Sequence, residues 1–171
     1  MEIASYTGRS TCSLASGSKR THREKVTAVD HFLGSQEQQQ GGAQESPHVL
    51  HGDIFSVLLE NLRKATVDDW VRPLRKDSVE AAKSWSHPIR LLFMDGDHSY
   101  DDARADFEAW SPRLISKGLV AFHDIEIFDG VTRSDAALLR TGLFREVLSV
   151  GTLRVVSRTR KTILGGGAGG A

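Results

Sequence analysis

Two short apolar runs in this chain stop abruptly at acid and imidazole, and few folds accommodate that pattern twice. Arg90-Leu-Leu-Phe-Met runs into Asp95-Gly-Asp-His98-Ser-Tyr100, and Val120-Ala-Phe runs into His123-Asp124-Ile125. Leu91 to Met94 has the length and continuity of a strand buried on both faces, as in a parallel sheet, and Leu119 to Phe122 repeats it. Between them, the spacing of Ala103, Phe107, Trp110 and Leu114 predicts a helix from Tyr100 to Leu114, closed by Lys117-Gly118. Strand, helix and strand cross over right-handed, so the two strands run parallel. Both polar clusters then lie at the carboxyl ends of parallel strands, where open α/β sheets hold ligands.

The remainder of the chain extends the same alternation. Met1 to Ser5 reads as the end of a strand, followed by a turn around Gly8 and a small-residue run, Cys12 to Ser16, that begins a helix. Strand, glycine turn and helix N-terminus form a cradle whose backbone N–H groups and helix dipole face a ligand. Val26 to Asp30 is a second strand ending in an acid, where dinucleotide-type folds place a partner for ribose hydroxyls. Asp53 caps a helix to about Lys64, with Phe55, Leu58, Leu59 and Leu62 as its core stripe. Trp70 to Leu74 is a third strand, which Pro73 assigns to an edge or an early end, and Asp77-Ser78 opens a helix to about Trp85. Thr132 to Thr141 is a helix capped by Gly142, and Phe144 to Val150 pairs antiparallel with Thr152 to Ser157 across Gly151.

Length and composition bound the function. A chain of 171 residues makes one domain with a real core. Lys plus Arg and Asp plus Glu balance at 22 each, which argues against nucleic acid or an anionic membrane surface as partner. No apolar run approaches the roughly 20 residues that span a bilayer, no signal peptide is visible, and the lone Cys12 suits a cytoplasmic setting. Residues 34–47 read as a low-complexity loop and 159–171 as a disordered glycine-rich tail.

Taken together, Glu2 to Thr11, Val29-Asp30, Asp95 to Tyr100 and His123-Asp124 resemble the signatures E-x-G-S-x-x-G-x-S-T, V-D, D-G-D-H-x-Y and H-D. These belong to a small bacterial-type family of class I S-adenosylmethionine-dependent methyltransferases. Phe128 to Arg133 and Val147 to Leu153 are also similar to that family, so the resemblance covers about residues 1–158. It implies a Rossmann-like, doubly wound α/β domain over 1–158, with a mostly parallel seven-stranded sheet whose last strand is antiparallel. Its first strand is truncated here, and the family's N-terminal helix is absent. A fragment, a mispredicted start and a degenerate copy are all compatible with that. A second departure is Ala4, which stands where the family has its first glycine.

By position, the resemblance places Glu2, Ala4, Gly8 and Ser10 on the amino-acid side of S-adenosylmethionine, Asp30 on the ribose, and Asp77-Ser78 against the adenine, with Asp95 also lining the cofactor. Methyl transfer to a hydroxyl needs in-line placement and removal of a proton by a base or a metal. Asp95 and Asp124 can converge on a hard divalent cation, Mg²⁺ before Mn²⁺, and His123 beside them admits a softer metal. His98 resembles the base of related sugar O-methyltransferases. Asp97 reads as a turn residue, Tyr100 as pocket wall, and His22, His31, His48, His51 and His87 as surface. The resulting expectation is an O-methyltransferase acting on a small hydroxylated substrate. Its rival is a non-catalytic remnant serving as a binding module, and an apolar surface left by the absent helix would favour a homo-oligomer.

Overall fold

The computed structural model describes residues 1–35, 38–43 and 45–159, with the side chain of His51 outside the description. The described residues form seven strands and six α-helices, largely in alternation. They are β1 (Glu2–Ile3), α1 (Arg9–Arg20), β2 (Val26–Asp30), α2 (Pro47–His51), α3 (Ile54–Lys64), β3 (Val71–Arg75) and α4 (Ser78–Lys83). The second half adds β4 (Ile89–Met94), α5 (Tyr100–Trp110), β5 (Leu114–Phe122), α6 (Asp129–Arg140), β6 (Phe144–Val150) and β7 (Leu153–Arg158).

The strands form one sheet in the order β3-β2-β1-β4-β5-β7-β6. β1 to β5 run parallel to one another, and β7 is antiparallel to both β5 and β6. Strand order reverses between β1 and β4, the switch point at which doubly wound sheets open a crevice above their carboxyl ends. β3 is an edge strand, which lets Pro73 sit where a central strand would lose a ladder bond.

Several boundaries differ from the sequence expectation. α5 ends at Trp110 and a 3-10 turn, Ser111–Arg113, follows, so Leu114 opens β5 instead of finishing a helix. Pro112 lacks the N–H to continue the helical ladder. Lys117-Gly118 lies inside β5, where Ile89 faces Leu114 but Leu91 faces Leu119. The extra β5 residues bulge out, with Lys117 at φ 62°. Trp70 belongs to a 3-10 turn ahead of β3. α1 starts at Arg9 and α6 at Asp129, each three residues earlier than expected. The 34–47 segment is anchored through Ser46, which is buried and hydrogen-bonded to the Tyr6 hydroxyl. Apart from Thr159, the expected tail 159–171 lies outside the described residues.

Two cores flank the sheet. On one face, Ile3, Val29, Leu92, Val120, Phe122 and Val156 meet Ala81 and Ala82 of α4, Trp110 of α5, and Val131 and Leu138 of α6. On the other, Val26, Ala28 and Val71 meet Ala15 of α1 with Leu58 and Leu62 of α3. The α3 stripe is narrower than expected, with Phe55 and Leu59 only half-buried. Among the described residues, no helix is long and apolar enough to cross a membrane.

Candidate functional site

The crevice has two polar walls. The first is the turn after β1. Ala4 N–H donates to the Val29 carbonyl (2.8 Å) and Gly8 N–H to the Ser5 carbonyl (2.8 Å), folding residues 4–8 back over the sheet. The turn uses left-handed backbone at Ala4 (φ 62°), Tyr6 (φ 47°) and Gly8 (φ 89°). Gly8 also caps α1, and a Cβ there would collide with Leu58. Asp30 holds the turn in place: its Oδ2 accepts from Tyr6 N–H (2.8 Å) and its Oδ1 from Phe32 N–H (2.6 Å).

Glu2 is fully buried beneath this turn. Thr11 donates to its Oε2, but Glu2 Oε1 and the neighbouring Ser5 Oγ have no partner. Burial pushes the Glu2 carboxyl up, against the pull of the Thr11 hydroxyl bonded to it and of the Ser10 and Ser5 hydroxyls nearby, which do not reach hydrogen-bond geometry. A buried carboxylate oxygen and hydroxyl without partners are costly in a finished core.

The second wall is the pair of strand ends. His123 Nδ1 lies 2.9 Å from Asp95 Oδ1 and 3.1 Å from Asp124 Oδ1. That nitrogen is buried and lacks a hydrogen bond of good geometry despite both short approaches. One ligand atom from each of the three residues falls within 4.8 Å of the others. His98 Nε2 stands 3.2 Å from Asp124 Oδ2, so the proposed base touches the cluster from its flank. Burial is the main force raising the Asp95 carboxyl to about 6, with Asp124 and Glu2 adding to it and His123 opposing. Asp124 (φ 60°) and Glu126 (φ 70°) are both left-handed, so the turn that presents the cluster is strained.

Supports for this wall include residues that the sequence reading passed over. The His98 ring stacks on Phe128, with centroids 3.6 Å apart and planes 1° from parallel. Asp106 of α5 lines the same cleft, and burial chiefly raises its carboxyl to about 6. Its position three residues after Ala103, on the buried side of a helix, was the available signal. Arg154 of β7 reaches the fully buried Asp135 of α6 (2.6 Å) and approaches Glu126 (3.9 Å), tying the strained turn to the sheet.

Other predicted residues take structural parts. Asp77 caps α4, accepting from Glu80 N–H (2.9 Å), while Ser78 Oγ accepts from Trp110 Nε1 (2.9 Å) and so faces α5. Asp97 accepts from Ser99 N–H (3.1 Å) in a turn. Tyr100 lies under the Arg133 guanidinium, 5.0 Å from its ring centre. His22, His31, His48 and His87 are exposed.

The family described as "Methyltransferase domain" matches residues 1–125. The fold is similar to that of the O-methyltransferase NovP, with TM-score 0.72 and 15% identity over 94% of this chain and 72% of that one. It is also similar to the SAH-bound Podospora anserina methyltransferase PaMTH1 (TM-score 0.67, 14% identity, 93% and 71% covered). A Bacillus cereus O-methyltransferase in complex with SAH gives TM-score 0.63 at 14% identity, covering 93% and 72%. In sequence, 57 residues are 44% identical to the uncharacterized protein y4gI of Sinorhizobium fredii (strain NBRC 101917 / NGR234), a match covering 33% of this chain and 6% of that protein.

Proposed function

The chain belongs to the methyltransferase-domain family, and on that premise we propose that it transfers a methyl group from S-adenosylmethionine to the oxygen of a small hydroxylated acceptor. The observation that carries this reading is the convergence of Asp95, His123 and Asp124 at the ends of β4 and β5, with His98 bonded to the same cluster. S-adenosylmethionine supplies an electrophilic methyl group on sulfur. The unpartnered Glu2 Oε1 and Ser5 Oγ suit its charged amino-acid end, with Ser10 beside them and Ala4 and Gly8 as the close backbone approach. Asp30 retains lone pairs for ribose hydroxyls beyond the two backbone N–H groups it already accepts. Asp77 is exposed at the α4 N-terminus on the adenine side, whereas the Ser78 hydroxyl, committed to Trp110, acts as a support.

The donor set of two carboxylates and one imidazole suits Mg²⁺ or Mn²⁺, held by Asp95, Asp124 and His123. Such an ion, when bound, would lower the pKa of an acceptor hydroxyl. His98 receives the hydroxyl proton, and Asp124 Oδ2, 3.2 Å from Nε2, stabilises the imidazolium that results. Phe128 keeps the imidazole plane fixed during that transfer.

A second reading, a weakly binding remnant without turnover, draws on Ala4. An L-residue occupies left-handed backbone at φ 62°, at the point of closest cofactor approach. Calorimetric titration of S-adenosylmethionine, with and without Mg²⁺ or Mn²⁺, separates the two. Micromolar binding that tightens with metal, followed by labelled-methyl transfer to a panel of phenols and sugars, supports the enzyme. A folded chain that binds neither donor nor metal leaves the remnant.

A further inference from the structure

Four residues form the buried face of α6, and three of them, Val131, Ser134 and Leu138, are apolar or small. Asp135 is the exception, a carboxylate with no exposure at all. Burying an acid is costly unless it is paired, and its partner is Arg154 of β7, whose Nη1 donates to Oδ2 over 2.6 Å. Buried ion pairs add little net stability over apolar residues of similar volume, because desolvation offsets the attraction. This pair is not an optimised one either, since Asp135 Oδ1 and Arg154 Nε are buried without a hydrogen bond. Stability alone does not account for it. Its position does.

Register sets Arg154 opposite Phe122, the last residue of β5, directly before His123 and Asp124. From there the guanidinium meets three elements with three different nitrogens. Nη1 holds Asp135 of α6, Nε lies 3.3 Å from Glu146 of β6, and Nη2 lies 3.9 Å from Glu126 in the turn after β5. The backbone of that turn is gripped from the same side. Ile125 N–H donates to the Thr152 carbonyl between β6 and β7 (2.9 Å), and Glu126 N–H donates to Thr132 Oγ1 (2.8 Å). Asp124 and Glu126, on either side of Ile125, hold left-handed backbone, which persists in such residues only where the surroundings impose it. What the turn presents is sensitive to rotation: Asp124 offers Oδ1 to His123 Nδ1 (3.1 Å) and Oδ2 to His98 Nε2 (3.2 Å).

We propose that Arg154, oriented by Asp135, is a positioning residue that fixes the 124–126 turn and so keeps one Asp124 oxygen on each imidazole. This role rests on the cluster being the methyl-transfer site, and Arg154 acts on it through the turn. Lysine cannot substitute, because a single ammonium can hold Asp135 but cannot also reach Glu126 and Glu146 as a guanidinium fork does.

NMR of the imidazole nitrogens in the metal-free chain, followed by titration with Mn²⁺ alone, tests this. Arg154→Lys, confirmed folded by circular dichroism, should shift the His98 and His123 signals. Its Mn²⁺ dissociation constant should rise about tenfold or more, the scale seen when residues that orient metal ligands are changed. Glu126→Gln, at an exposed side chain, removes the turn's end of the contact and should shift the same signals by less. Leu62→Ala, in the core on the other face of the sheet, should lower the melting temperature and leave both readouts at wild-type values. Unmoved imidazole signals in Arg154→Lys overturn the proposal, and so does an equal loss of Mn²⁺ affinity in Leu62→Ala. If Arg154→Lys does not fold, unmoved signals in Glu126→Gln overturn it instead. The imidazole signals are read without metal or donor, so failure of the wild-type chain to take up Mn²⁺ would count against the metal-assisted function and not against the positioning.

Discussion

The two polar walls of the crevice contrast in how they treat charge. At the β1–β2 wall, Asp30 is satisfied twice over by backbone N–H groups and works as a brace for the turn. At the β4–β5 wall, Asp95 and Asp124 are held together with imidazole nitrogens between and beside them, at the price of a carboxyl pushed up to about 6. An acid braced by backbone N–H groups serves the architecture first, whereas acids crowded at a cost suit chemistry.

The largest effect should come from breaking the second wall. Asp124→Asn removes the partner of His98 and, on the proposed reading, a metal ligand, so methyl transfer should fall by about 10²–10⁴. His98→Gln should lose activity on that scale while leaving metal affinity in place. Radiolabelled transfer and metal titration, run on both variants, check the division of labour. If His98→Gln abolishes metal binding too, the two roles collapse into one.

Next in size is a pH effect on stability. Asp95 and Asp106 both titrate near 6 when folded, above the ordinary carboxylate value, so the folded state binds more protons than the unfolded state between about pH 4 and 6. Stability of the metal-free chain should therefore fall as pH rises through that window, by about 2 kcal/mol per group. Asp106→Asn should flatten its share of the fall in thermal melts, and saturating Mg²⁺ should remove the share of Asp95. A melting temperature level across the window would contradict the burial of both acids.

Breaking the first wall should act mainly on folding. Asp30→Ala strips two backbone N–H groups of their acceptor and should cost about 2 kcal/mol in denaturant unfolding, in addition to weakening donor binding. The smallest effect, and the one of opposite sign, belongs to Ala4→Gly. Relief of left-handed backbone should stabilise the chain by about 1 kcal/mol and tighten S-adenosylmethionine binding, readable in one calorimetric series.

Much of this was legible before any coordinates. β2 begins and ends where its apolar run does, and β4 and β5 stop at the predicted acids, because a buried parallel strand leaves little freedom of pattern. The end of α5 was misread because Phe107, Trp110 and Leu114 keep helical spacing across a boundary that Pro112 enforces. Side-chain direction was the harder matter. Nothing in Asp77-Ser78 tells that one caps its own helix while the other turns toward Trp110, since that choice belongs to the α4–α5 packing. The part played by Phe128 stayed hidden for the same reason: its stacking partner, His98, is remote in sequence.

Gly130 carries a lesson for redesign. A Cβ at this position would press on the backbone of His98 and Tyr100 and come within 2.7 Å of the Ser99 carbonyl carbon. The start of α6 therefore rests directly on the segment that carries His98. A library that diversifies the 126–130 turn to accept new substrates should spare this one codon, because every replacement would shift His98 before it reshaped the pocket.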